Sequence, residues 1–255
     1  MRSCLRGRWK AGPVSLSDTM AELNRRTALN LAGAATLAAL GVSTPASGAA
    51  GAAPSASAAA AGVILPRSAW GARPPKAGGR PHTITRMTIH HSAVALPDNR
   101  GIVARLQQHQ RYHQDDKGWI DIAYHYAVDR NGNIFTLRDT AIAGDTATDY
   151  DTTGHFLVLC EGNFDEEAVS EAQLNGAALI FAWAARQFGI TTATLASHKE
   201  VTPVTSCPGA TLEAHMTSGD LKRRIDTTIA DGFTLNPVSG QEAQTIAAAI
   251  TAGTR

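Results

Sequence analysis

The chain has 255 residues, 44% of them apolar and 18% charged, and a formal net charge of +1. This length and composition suit one or two globular domains with a sizeable core. From residue 62 onward, 17 Lys and Arg stand against 20 Asp and Glu, a net charge of about −3 with no basic run, so we expect no nucleic-acid partner.

The first 61 residues predict an export signal and an Ala-rich linker. Arg25-Arg26 precedes an apolar run from Ala28 to Val42 that is too short and too rich in small side chains for a stable membrane span. This pattern favours a twin-arginine signal peptide, with Met20 as a candidate start codon. Residues 32 to 62 are mostly small and cannot form a core, so the alternative is a disordered tail. We expect an exported protein, located in the cell wall or outside the cell.

Strand and helix patterns begin near residue 63. The segment ILPRSAWGARPP, which starts at Ile64, has no period and predicts an extended segment lying on the domain. RMTIHHSAV, residues 86 to 94, predicts a short strand. Residues 100 to 114 carry apolar groups at helical spacing and predict a helix.

The clearest pattern is a β-hairpin in WIDIAYHYAVDRNGNIFTLRD, residues 119 to 139. Apolar and aromatic residues alternate with others from Ile120 to Val128, Asn131-Gly132 supply a tight turn, and a return strand begins at Ile134. HFLVLCEG, residues 155 to 162, is a continuous apolar run and predicts a strand that is buried on both faces.

The C-terminal third predicts three helices, over residues 170 to 188, 218 to 230 and 239 to 253. Strand and helix patterns interleave, so we predict one α/β domain with a central mixed sheet over residues 62 to 232. Residues 233 to 255 are predicted to be an Ala-rich, helical tail that docks loosely on this domain.

Three residues have the chemistry of a catalytic zinc site. His90 ends a predicted strand, and His198 and Cys207 flank a loop long enough to bring both to one ion. Such sites use three protein ligands and one water, and imidazole with thiolate suits Zn²⁺ better than Ca²⁺ or Mg²⁺. Two alternatives stay open: strand-end histidines often face substrate instead, and Cys160 with Cys207 can form a structural disulfide in an exported protein.

Four motifs resemble those of the zinc-dependent N-acetylmuramoyl-L-alanine amidases. They are, in order, TIHHSA, YHQDDKGWIDIAYHYAVDRNGNIF, EGNF and HKEVTPVTSCPG. This family of type 2 amidase domains includes the peptidoglycan recognition proteins. The resemblance covers roughly residues 63 to 230 and implies a central mixed sheet, flanking helices and a zinc cleft on one face.

The resemblance also implies roles for individual residues. Tyr124 and Thr205 would stabilise the oxyanion that forms when a zinc-activated water attacks the amide. The implied zinc ligands are the same three residues, His90, His198 and Cys207.

Other residues of the motifs are candidates for contact with the substrate. His91, His113 and Lys117 lie in matching motifs, although each is equally well explained as an ordinary surface residue. Glu161 is a candidate general base or a support for a metal ligand, with a solvated strand end as the alternative. Trp119 is expected to anchor its strand in the core.

The chain departs from the family pattern at two points. His198 and Cys207 are nine positions apart, where many members have eight. The loop after the hairpin carries Asp145 and Asp151, where relatives often have a histidine and an asparagine, which predicts a different stem-peptide or glycan preference or a weakened site.

The leading interpretation is an exported zinc hydrolase that cleaves the amide bond between N-acetylmuramic acid and L-alanine in peptidoglycan. The main alternative is a peptidoglycan-binding module, since some relatives keep the cleft and lose hydrolysis, usually with the cysteine ligand. Cys207 is intact here, which favours the enzyme. We expect Zn²⁺ as the cofactor, peptidoglycan or a muropeptide as the partner, and a monomer.

Overall fold

The structure, a computed structural model, describes residues 59–255. The predicted signal peptide lies outside the described residues. The described chain forms a seven-stranded mixed sheet between two layers of helices, which confirms the predicted α/β fold. The strands are β1 (Ala60–Leu65), β2 (Arg86–His91), β3 (Tyr126–Val128), β4 (Ile134–Thr136), β5 (His155–Cys160), β6 (Leu195–Ser197) and β7 (Phe233–Pro237). The helices are α1 (Ile102–Arg111), α2 (Glu171–Phe188), α3 (His198–Val201), α4 (Ala210–Thr217), α5 (Asp220–Asp231) and α6 (Gly240–Ala252).

The strand order in the sheet is β6-β2-β5-β3-β4-β1-β7. Neighbouring strands are parallel except β3 and β4, which form the predicted antiparallel hairpin around Asn131-Gly132. Every residue of β5 is buried, as its continuous apolar run predicts. Because β2 pairs in parallel with both β5 and β6, the carboxyl ends of these three strands lie at the same edge of the sheet.

The two faces of the sheet support separate hydrophobic cores. Alternate residues of a strand point to opposite faces, so Tyr126 and Val128 join one core and Ala127 the other. The first core contains residues of α2, α4 and α5, and the second contains residues of α1 and α6. Helix α2 begins after Ser170, whose hydroxyl accepts the N–H of Gln173, and it ends at Gly189 in the left-handed conformation, as predicted. Among the described helices, none is both long and apolar enough to cross a membrane.

The segment before β3 is irregular, although the alternating pattern predicts a strand from residue 120. The guanidinium of Arg138 explains the difference, because it donates to the backbone carbonyl oxygens of Asp121, Ile122 and Ala143. These carbonyl groups are therefore satisfied by one buried side chain and not by a strand ladder. The predicted helix over residues 100 to 114 likewise changes character, since α1 is followed by a π-helical turn over Tyr112–Asp116.

The two ends of the described chain contribute more to the fold than the sequence predicts. The segment expected to lie on the domain begins inside β1, which starts at Ala60 within the predicted linker and pairs with β4 on one side and β7 on the other. Trp70 follows it and is fully buried. The tail predicted from residue 233 is helical over Gly240–Ala252, but it is not loosely docked, because Phe233–Pro237 form β7 at the edge of the sheet. Helix α6 also buries Ala243, Ala247 and Ile250, which share one face at helical spacing.

His125 is a fully buried histidine that directly precedes β3. Its Nδ1 accepts the N–H of Leu157 at 3.0 Å, and its Nε2 lies 3.1 Å from the carbonyl oxygen of Ile142. A neutral ring protonated on Nε2 satisfies both contacts, whereas an imidazolium would turn a second N–H toward the Leu157 donor. Burial lowers the pKa of His125 to about 3.

Because the pKa of His125 is lowered in the folded protein, we expect the protein to lose stability in mild acid. Between pH 6.5 and about 3, the unfolded chain takes up a proton at His125 and the folded chain does not, so the free energy of unfolding falls as the pH falls. The slope from this residue is about 1.4 kcal/mol per pH unit. Urea unfolding between pH 4 and 6 should give a smaller slope for His125→Gln than for the wild type, and an unchanged slope would contradict this prediction.

Candidate metal centre

Two of the predicted metal ligands follow directly from the pairing of β2 with β6. Ile89 pairs with Ser197, so the next residues of the two parallel strands, His90 and His198, lie side by side at the carboxyl edge of the sheet. Ser197 and Glu200 form a capping box in which each side chain accepts the backbone N–H of the other residue. This cap starts α3 at His198 and fixes the direction in which its imidazole projects.

Cys207 reaches the same place from the loop between α3 and α4. The hydroxyl oxygen of Thr205 accepts the N–H of Cys207 at 3.1 Å, which closes a tight turn. The backbone N–H of His91 points at the sulfur, with an N–Sγ distance of 3.4 Å. Cys207 is only 9% exposed. Cys160 and Cys207 are both free thiols, so the disulfide that the sequence left open is not formed.

One ligand atom from each of His90, His198 and Cys207 lies within 4.8 Å of the others. Cys207 Sγ is 3.7 Å from His90 Nδ1, and the two imidazole centroids are 4.6 Å apart. Burial lowers the pKa of His90 well below its usual value and that of His198 to about 4, so both rings are neutral at pH 7. Burial raises the pKa of Cys207 to about 12, so a metal would displace a proton from this thiol. These three residues could hold a metal ion.

The three residues lie at the bottom of a cleft of about 320 Å³. The hydroxyl-bearing residues Tyr124 and Thr205 also line it. Tyr124 lies in the irregular segment before β3, with its ring centroid 5.1 Å from that of His90. Burial raises the pKa of Tyr124 above its usual value, so its hydroxyl keeps its proton. The Thr205 oxygen already accepts the Cys207 N–H, which leaves its own proton available to a ligand.

His91 and His113 line the cleft as neutral donors. The Nδ1 of His113 accepts the N–H of Ala123 at 3.2 Å, and the Nδ1 of His91 lies 3.4 Å from the backbone nitrogen of Phe164. Burial lowers the pKa of His113 to about 3 and also lowers the pKa of His91. Each neutral ring therefore carries its proton on Nε2.

Lys117 and Trp119 complete the wall beside His113. The Lys117 ammonium lies 5.5 Å from the centroid of the Tyr112 ring, and it is the exposed cation of the cleft. Trp119 was expected in the core but is half-buried and lines the cleft, with its ring 4.8 Å from that of His113. The position of Trp119 in the same motif as Lys117 could have indicated the cleft, whereas its large apolar side chain wrongly favoured the core.

Glu161 is neither solvated nor part of the cleft lining. It follows β5 and is fully buried. One carboxylate oxygen lies 2.9 Å from the Ser92 hydroxyl and 3.3 Å from the Arg105 guanidinium, and the other lies 3.0 Å from His109 Nε2. Both oxygens are thus engaged by β2 and α1 neighbours, which makes Glu161 a buried counter-ion that ties α1 to the sheet.

The two aspartates of the loop after the hairpin are both paired with arginines. Asp145 lines the cleft and lies 2.5 Å from the buried Arg138, whereas Asp151 lies on the surface and pairs with Arg80 at 2.9 Å. Hydrogen bonds from Thr153, followed by the Arg80 contact, lower the pKa of Asp151 to about 2. Both carboxylates therefore help to fix the loop.

The same loop supplies two contacts that the sequence did not predict. Thr148 Oγ1 lies 2.8 Å from Nε2 of His198, and the Tyr150 hydroxyl lies 3.4 Å from Nε2 of His90. Neither residue has a spacing pattern that points to a metal ligand. Their proximity to the histidines depends on how the loop folds over the sheet edge.

Known proteins have sequences similar to this chain. A family model described as N-acetylmuramoyl-L-alanine amidase matches residues 80–210. Peptidoglycan-recognition protein LB of Drosophila melanogaster is 31% identical over 186 residues, which are 69% of this chain and 76% of that protein. The N-acetylmuramoyl-L-alanine amidase of Homo sapiens is 33% identical over 119 residues, which are 44% of this chain but only 20% of the human protein.

Solved structures share the fold. A variant of Drosophila PGRP-LB in complex with tracheal cytotoxin superimposes with a TM-score of 0.55 at 28% sequence identity. The match covers 61% of this chain and 93% of that one. The segment matched by the family model contains every residue of the candidate metal centre, from His90 to Cys207.

Proposed function

The chain belongs to the N-acetylmuramoyl-L-alanine amidase family, and on that basis we propose that it is an exported zinc hydrolase that cleaves the amide bond between N-acetylmuramic acid and L-alanine in peptidoglycan. One observation carries the proposal. Three buried metal-ligand side chains converge at the bottom of a cleft whose walls present hydroxyl and imidazole donors.

The donor set supports zinc. Two neutral imidazoles and one thiol match a catalytic zinc site with three protein ligands, and the cleft leaves room for a fourth ligand above them. The His91 N–H, directed at Cys207 Sγ, would stabilise the thiolate. A zinc ion held by His90, His198 and Cys207 would supply a Lewis acid for the carbonyl group and lower the pKa of a water to about 7.

The protein's own hydroxyl groups would stabilise the transition state. Amide hydrolysis places negative charge on the carbonyl oxygen, and pre-oriented donors in a dry site lower that barrier. Tyr124 stays protonated and Thr205 has its proton available, so both can donate to this oxygen. We assign them as the oxyanion donors.

The cleft walls suit a muropeptide. His91 and His113 offer N–H donors to peptide carbonyl groups, and Lys117 offers an ammonium to a carboxylate of the stem peptide. The half-buried ring of Trp119 adds an apolar surface between them. The names of the relatives, which include a peptidoglycan-recognition protein and an amidase, support the same class of ligand.

A non-catalytic peptidoglycan-binding module is the second candidate, because several relatives are named as recognition proteins. Digestion of purified peptidoglycan separates the two. We expect the protein with zinc to release stem peptides that begin with a free L-alanine, detected by mass spectrometry. A chelator and the Cys207→Ala variant should both abolish release. Intact peptidoglycan with the protein still bound to it would reject the hydrolase and support the binding module.

A second prediction concerns the oxyanion donors. Tyr124→Phe removes one hydroxyl and should reduce kcat by about a hundred- to thousand-fold, the usual effect of losing such a donor, with an unchanged zinc content. The matched control is Tyr126→Phe, two residues along the chain, whose ring packs against Trp183 and Phe156 in the core. Tyr126→Phe should keep a kcat close to that of the wild type, and equal rates for the two variants would remove Tyr124 from the mechanism.

Export is proposed from the sequence alone. A reporter fused to residues 20 to 61 should leave the cytoplasm only in a strain with a working twin-arginine pathway. Replacement of Arg25 and Arg26 by lysine should block it, because that pathway reads the arginine pair. Export that continues in a strain without the pathway would contradict the assignment.

A further inference from the structure

One ring nitrogen of each metal-centre histidine lies close to a hydroxyl group of the same loop. We call residues 145 to 151 the hydroxyl loop, because Thr148 and Tyr150 present their hydroxyl groups to the site. Thr148 Oγ1 is 2.8 Å from Nε2 of His198, and the Tyr150 hydroxyl is 3.4 Å from Nε2 of His90. Both histidines are thus contacted through the same ring nitrogen by the same segment.

The opposite nitrogen of His90 faces the other ligands. Its Nδ1 lies 3.7 Å from Cys207 Sγ, so the ring has one nitrogen toward the centre and one toward the hydroxyl loop. The Tyr150 ring also packs against His198, with a centroid distance of 5.1 Å. Each imidazole therefore has a hydroxyl group as hydrogen-bond partner, and His198 also packs against the Tyr150 ring.

The hydroxyl loop is itself fixed at both ends. Asp145 pairs with the buried Arg138, and Asp151 pairs with Arg80. Gly144, just before the loop, passes so close to the backbone of Ala123 that a Cβ there would clash with the Ala123 carbonyl oxygen. Within the loop, Thr146 Oγ1 lies 2.8 Å from Thr148 Oγ1. A segment held in this way can fix the orientation of a ring that it contacts.

We propose that Thr148 and Tyr150 are positioning residues that determine which nitrogen of each histidine binds the metal. In each ring the Nε2–H donates to the hydroxyl oxygen, and the lone pair of Nδ1 is left for the ion. A metal-binding imidazole commonly needs such an outer partner to fix its tautomer and orientation. This inference rests on the metal site of the proposed function and not on the hydrolysis.

Zinc affinity of the full-length protein tests the proposal. Thr148→Val keeps the shape of the side chain and removes its hydroxyl, so competition with a chromogenic chelator should give a Kd about 10- to 100-fold weaker than that of the wild type. Thr148→Ser keeps a hydroxyl group and should therefore keep most of the wild-type zinc affinity. Tyr150→Phe should have the smaller effect, because its contact is longer. Thr245→Val is the matched control, since Thr245 is exposed on α6 and its hydroxyl donates to the Gln241 carbonyl oxygen within that helix.

Histidine nitrogen NMR of the zinc-loaded wild type is an independent measurement. We expect His90 and His198 to keep a proton on Nε2 and to bind zinc through Nδ1. Zinc bound to Nε2 would overturn the proposal, as would a Thr148→Val variant that binds zinc as tightly as Thr245→Val. If Thr148→Val does not fold, as judged by circular dichroism, then Tyr150→Phe and the NMR tautomers decide.

These measurements use no substrate. A protein that binds zinc as expected but releases no stem peptides would therefore reject the proposed hydrolase and leave the role of Thr148 and Tyr150 standing. A wild type that binds no zinc would reject both.

Discussion

Parallel pairing of β2 with β5 and β6 is the constraint on which the site depends. It places the residue after Ile89 beside the residue after Ser197, which brings His90 and His198 together although they are far apart in the chain. Side chains alternate between the faces of a strand, so a slip of one residue in this register would turn His90 to the opposite face. This register brings the two histidines together, and the loop that carries Cys207 then supplies the third candidate ligand.

Buried polar groups connect that sheet edge to the rest of the molecule. Arg138 holds the irregular segment that carries Tyr124, and it also binds Asp145 at the start of the hydroxyl loop. Glu161 joins the end of β5 to α1 through Arg105 and His109. Among the described residues, only Gln173 Oε1 and Glu213 Oε2 are buried side-chain atoms without a partner. These contacts link the segment that carries Tyr124 to the hydroxyl loop, and α1 to the end of β5. Removal of one member of a buried ion pair would leave the other charge unpaired.

The strongly periodic elements could be predicted from the sequence. Helix α2 has an apolar stripe, a serine cap and a terminal glycine, and the hairpin has alternation with an Asn-Gly turn, so local signals are sufficient. Strands β1 and β7 could not be found in this way, because they pair with each other across about 170 positions of the chain. β1 has no alternating pattern, and the alternation of β7 covers only the four residues from Phe233 to Asn236.

Residues of the candidate site that belong to sequence motifs could also be predicted, whereas those that depend on packing between distant segments could not. Motifs identified His90, His198 and Cys207, which the fold brings together. The sequence did not predict the histidine contacts of Thr148 and Tyr150 or the burial of Glu161. Their partners lie on other segments of the chain and depend on how these segments pack. Trp119 shows the reverse error, in which residue type suggested the core and the fold placed the ring at the cleft.

The pairing of β1 with β7 has a consequence for maturation. β1 pairs from its first residue, with Ala60 opposite Phe233, and it is an interior strand between β4 and β7. A cut between Ala60 and Val63 would remove residues that pair with β7, and a cut further along would also reach the residues that pair with β4. If the proposed leader is removed, a cut that preserves the whole sheet therefore has to lie before residue 60, and the sheet itself sets this latest point.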